Sequence, residues 1–193
     1  MPRRDLTEER TTEILDAFER CVARDGLEKT SMEDIAREAG MKRSILRHYI
    51  GNRDAIVLAL AERVVGKNLG SMGQALAMLP HDATNDQILN LLFRTDTSNV
   101  VQDVLVIEKL IDAAQRNEAV GRLITQWLES VVHDLSSFLQ RRHTSAAGSK
   151  CHDAAWGIIC VIFNWESFLP VGLTDEFRHS SRRCCEIFLE SLE

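Results

Sequence analysis

Lys42, Arg43, Arg47 and Arg53 crowd with His48 into residues 39–53, a stretch without a single Asp or Glu. The chain around them is acidic, with a formal net charge of −6 and a pI near 5.6. Residues 1–67 balance their charges, so the remainder carries the whole negative surplus. A basic cluster on an acidic protein suits one local contact with a polyanion and repulsion elsewhere. Bond-making chemistry finds no comparable support. GxSxG, a Gly-rich phosphate loop, HExxH and a carboxylate pair in a clear context are all missing, so an enzyme is not expected.

Those side chains need elements to hold them. Hydrophobic residues make up 45% of the 193, charged residues 27%, and only three prolines occur. Apolar residues recur at helical spacing almost everywhere, which predicts an all-α chain of about nine helices. The first should run from Thr7 to Asp25-Gly26, with Ile14, Leu15, Phe18, Cys21 and Val22 on one face. Thr30 to Glu33 has capping-box spacing, Thr30 accepting from the Glu33 amide. Met32, Ile35, Ala36 and Ala39 then line a short second helix that stops at Gly40. A third runs from Lys42 or Arg43 to Tyr49, with Ile45, Leu46 and Ile50 inward. Gly51-Asn52 breaks it, and a fourth starts at Arg53-Asp54 and continues toward Pro80. Five more are expected near 84–96, 99–115, 118–142, 149–169 and 174–192. This divides the chain into a domain over 1–53 and a second over 54–193.

Two short helices joined by a tight turn at Gly40 make a helix-turn-helix candidate from Thr30 to Tyr49. One side of the second helix must be apolar for docking, the other polar and basic for the major groove and its phosphate walls. The run IAREAGMKRSILRHYIGNRDAI resembles the signature of the tetracycline-repressor (TetR) family, IA-x-x-AGVS-x-GTLYYHF-x-SKE-x-L, over about Thr11 to Val64. The resemblance implies base-edge contacts from Arg43 and Ser44, where an Arg fork onto guanine discriminates by about 1–3 kcal/mol. It implies phosphate contacts from Arg47, His48 and Tyr49, from Thr30 and Ser31 at the start of the second helix, and from Arg53. Lys42 stands where the family has a capping Ser, which removes a cap worth about 1 kcal/mol and adds a charge.

The resemblance further implies a DNA-binding repressor working as a homodimer on a roughly palindromic double-stranded operator, released by a small, mostly apolar effector. Dimerisation is expected through helices 149–169 and 174–192. Candidate effector-pocket residues are Phe93, Leu105, Glu108, Trp127, Val131, Trp156 and Asn164. Two alternatives stay open: an architectural DNA-binding dimer without an effector, and a helical enzyme of unknown substrate. The five cysteines lack CxxC pairing, no signal sequence is evident, and Ala154–Leu169 is interrupted by Asn164 and Glu166. A cytoplasmic protein without membrane span, metal or cofactor is therefore expected.

Overall fold

The computed structural model describes residues 3–80, 82–93, 100–172 and 175–193. Helices and turns alone occur among them. The ten α-helices are α1 (Arg3–Asp25), α2 (Met32–Glu38), α3 (Arg43–Ile50), α4 (Arg53–Asn68), α5 (Ser71–Ala77), α6 (Asn85–Leu92), α7 (Val100–Ala114), α8 (Glu118–Arg142), α9 (Gly148–Ser167) and α10 (Asp175–Glu190). A 3₁₀ turn covers Leu169–Val171. The helix beyond the expected nine is α5, because Gly70 takes a left-handed conformation (φ 74°) and ends α4 well before Pro80. The last helix was expected to begin at Thr174, which lies outside the described residues, as do 94–96 at the end of the sixth.

The chain forms two compact units. Met1–Gly66 with Gln102–Ile124 make the first, and Lys67–Val101 with Thr125–Glu193 the second. The expected boundary after residue 53 falls inside the first unit. There Ile56, Leu60 and Val64 of α4 share one core with Ile14, Phe18, Ile35 and Leu46, and Val106, Leu110 and Val120 join it.

Within that unit α2 is fixed at both ends. The cap lies one residue later than expected: Ser31 Oγ accepts from the Asp34 amide (3.2 Å), and the Asp34 carboxylate accepts from the Ser31 amide (3.0 Å). These hydrogen bonds to the Ser31 hydroxyl and amide hold the Asp34 carboxyl below its ordinary pKa. At the far end Gly40 is left-handed (φ 65°), and Met41 N–H bonds back to the Ala36 carbonyl at 2.9 Å. That closes the helix and aims the chain into the next one. Arg20 and Arg24 of α1 both reach Glu38, at 2.8 and 3.1 Å.

The second unit is built on aromatic and aliphatic packing. Phe93, just past α6, meets Trp165 of α9 with ring centroids 5.3 Å apart, and Trp127 of α8 meets Phe163 at 5.4 Å. Gly157 lets α9 approach α10, since a Cβ there would lie 2.6 Å from Phe188 Cζ. Arg182 ties α10 to Asp86 of α6 (2.5 Å), and Arg178 donates to the Phe93 carbonyl at 2.9 Å.

Candidate nucleic-acid interface

Helix α3 sits on the first unit through Leu46, fully buried, and Ile50. With 100° between successive residues, the opposite side is centred on Ser44 and His48. Arg47 flanks that stripe on one edge and Ile45 on the other, while Arg43 lies nearer the Ile50 side and is exposed at the first residue of the helix. Lys42, Arg43, Ser44, Arg47 and His48 are all exposed. Lys42 is the N-cap residue and makes no side-chain cap, as its replacement of Ser implies.

Ile45 corrects the expectation: it is 41% exposed and does not dock. Its neighbours fix the inward direction by one helical step, leaving the second apolar position of the pair outside. Tyr49 is half-buried, packs against the core, and presents an edge to His48 at 5.2 Å. It supports the helix more than it faces outward.

Two residues expected at phosphates have internal partners. Thr30 is buried (1% exposed), and its hydroxyl donates to the Gly26 carbonyl at 2.8 Å. The side chain closes the turn between α1 and α2, which leaves the backbone amides at the start of α2 as the expected phosphate donors there. Arg53 is half-buried and donates to the carbonyl oxygens of Leu27 and Thr30. It fastens the start of α4 to that same turn. Ser31 stays exposed at the rim.

A cleft of about 510 Å³ opens beside α3, lined by Lys29, Ser31, Arg43, Arg47, Asn52 and Arg53 among others. Lys29 is a cation the sequence reading missed. It lies outside the acid-free run, one residue after Glu28, so composition gave no signal. Asn52 accepts from the Ala55 amide at 2.9 Å and caps α4.

The candidate effector residues are divided between the two units. Phe93, Trp127 and Val131 are buried in the second unit, whereas the half-buried Leu105 and Glu108 belong to the first. Trp156 (46% exposed) and Asn164 lie open on α9, which corrects their expected place in a pocket. The Trp127 indole N–H is buried without an acceptor among the described residues. Sequence reading missed Glu166, whose carboxyl is pushed up to about 7 by burial.

Residues 14–60 match the family model for bacterial regulatory proteins of the tetR family. The chain is 26% identical over 126 residues to the HTH-type transcriptional regulator BetI of Rhizobium meliloti (strain 1021). That match spans 64% of this chain and 61% of the relative, less than two thirds of its length. Solved structures share the fold over nearly the whole chain. A protein from Saccharomonospora viridis, described as a transcriptional regulator and solved in complex with choline, superposes with a TM-score of 0.78 at 15% identity. That match covers 95% of this chain and 96% of that one. A TetR transcription regulator from Haloarcula marismortui gives 0.76 at 14% identity, covering 95% and 98%. The family's model thus matches the helix-turn-helix segment over residues 14–60, and the chain shares its fold over nearly its whole length with solved regulators. Its DNA-binding segment therefore resembles that of the tetR family of bacterial regulatory proteins.

Proposed function

We propose that the chain is a ligand-responsive transcriptional repressor that binds a roughly palindromic DNA operator as a homodimer. The observation that carries this reading is α3, seated by Leu46 and Ile50 while Arg43, Ser44, Arg47 and His48 are exposed. Arg43 serves as a base-edge fork and Arg47 as a phosphate ligand, with Lys29 and Ser31 on the cleft wall beside them. Lys29 joins Arg53 in the phosphate set, since two of the five Arg53 N–H groups go to carbonyls and the side chain still lines the cleft.

A second copy covers the outward sides of α9 and α10. Trp156, Phe168, Phe177 and Ile187 are exposed there at 46, 47, 57 and 64%. Helix α9 and the turn after it (Gly148–Val171) are long and apolar enough to cross a membrane by composition, with a mean hydropathy of 1.4. Two apolar sides, one buried within the unit and one awaiting a partner, account for that value without a bilayer. Two-fold symmetry also supplies two reading helices about 34–36 Å apart for successive major-groove turns.

The effector is a small, mostly apolar molecule held by the second unit. The choline carried by the S. viridis protein makes a quaternary ammonium the first compound to test, since aromatic faces attract such cations. To act as a switch, it must bind the DNA-incompetent state better than the competent one.

Selection of bound sequences from a random duplex pool tests the reading. A palindromic consensus is expected, with Arg43→Ala losing preference at one position by about 1–3 kcal/mol. Arg47→Ala should weaken all sequences alike and lower the salt slope by about one. Trp156→Glu should shift sedimentation toward monomer. Failure to enrich any sequence would falsify the assignment.

A further inference from the structure

Ile45 is the large apolar side chain that α3 leaves exposed, at 41%, while Leu46 and Ile50 on the same helix are buried. It borders the Ser44–His48 stripe on the edge opposite Arg47. There it lines an open groove of about 670 Å³ together with Leu6, Arg10, Lys42, Ser44 and His48. An aliphatic group left in water gains when something apolar covers it, and Leu6, 45% exposed, stands on the same groove. Arg10 is paired with Glu13 at 2.6 Å, but Lys42 beside Ile45 and Arg47 across the stripe favour a polyanion as that cover, and an apolar protein surface would leave Lys42 desolvated. Among the base edges of the major groove, the apolar feature on offer is the C5 methyl of thymine.

We infer that Ile45 is a specificity-determining residue that reads thymine in the operator through its C5 methyl. This rests on the DNA-binding reading above and adds to it a base identity and the residue that detects it. Ile45 thus stands on the reading surface, beside Ser44, rather than beneath it.

The test uses the full-length chain and the duplex that it selects from a random pool. Each thymine is replaced in turn by deoxyuridine, which removes the methyl and leaves the hydrogen-bonding edge unchanged. Wild-type protein should lose about fourfold in affinity at one thymine of each half-site, the worth of one buried methyl-sized group. Ile45→Ala should bind thymine and uracil duplexes equally at that position. Ile45→Val, which keeps a branched apolar tip, should retain the discrimination and carries the comparison should Ala disturb the fold. Wild-type binding indifferent to every methyl, or an Ile45→Ala variant as sensitive as wild type, overturns the inference alone. A chain that selects no duplex at all overturns it together with the DNA-binding reading.

Discussion

Helices α3 and α9 each turn one side to solvent, and the two sides differ in kind. On α3 that side holds Ser44, Arg47 and His48, with Arg43 exposed at its start; on α9 it holds Trp156, Cys160 and Asn164, with Phe168 just beyond its end. Both helices bury aliphatic residues opposite, Leu46 and Ile50 in one case and Ile158, Ile159 and Ile162 in the other. The inward packing therefore says little about function. The outward side separates them, because a guanidinium in water is well solvated whereas an indole in water carries about 25 cal/mol for each Å² left uncovered. The proposed duplex would answer the first, and the proposed second copy the second.

The contrast should break most severely beneath α3. Leu46→Ala removes a fully buried side chain, and the first unit should lose about 2–5 kcal/mol. Denaturant unfolding should record that loss, and duplex binding should vanish with it although no outward residue has changed. Next in size is a pH effect on α9. Burial moves the Glu166 carboxyl from an ordinary 4.5 to about 7. Between those values the unfolded chain has released this proton and the folded chain still holds it. Stability should therefore fall as pH rises from about 4.5 to 7, by about 2 kcal/mol. Melting of Glu166→Gln across that range should show the slope flattened, and an unchanged slope would assign it to other groups. The smallest effect concerns the neighbour of α3. Ser31→Ala removes the cap of α2 and should cost about 1 kcal/mol in chemical denaturation.

Much of the first unit was legible because its signals are local. Helices do end just ahead of Gly40 and Gly51, both at positive φ, and Ile35, Ala36 and Leu46 are core residues as their spacing predicts. The errors there are errors of a single step. Thr30-x-x-Glu33 and Ser31-x-x-Asp34 are equally good caps on paper, and only the burial of Thr30 against the Gly26 carbonyl decides between them. Ile45 and Leu46 are likewise adjacent and alike, and 100° of rotation puts one outside. In Arg53 the internal role of a long cation was hidden, because the turn carbonyls it serves lie 23 and 26 residues away along the chain. The second unit resisted for a different reason. Phe93, Trp127 and Trp156 share one chemistry, yet two are interior and one is open, and nothing in a lone sequence separates packing from docking.

Arg53 has a mechanical consequence. Its guanidinium ties the first residue of α4 to Leu27 and Thr30, and Ser31 follows directly in the chain. A displacement of that end of α4 would have to break these two hydrogen bonds or carry the turn before Ser31 along with it. Severing the link, as in Arg53→Met, would leave the cations of α3 in place while uncoupling that turn from the helix behind it.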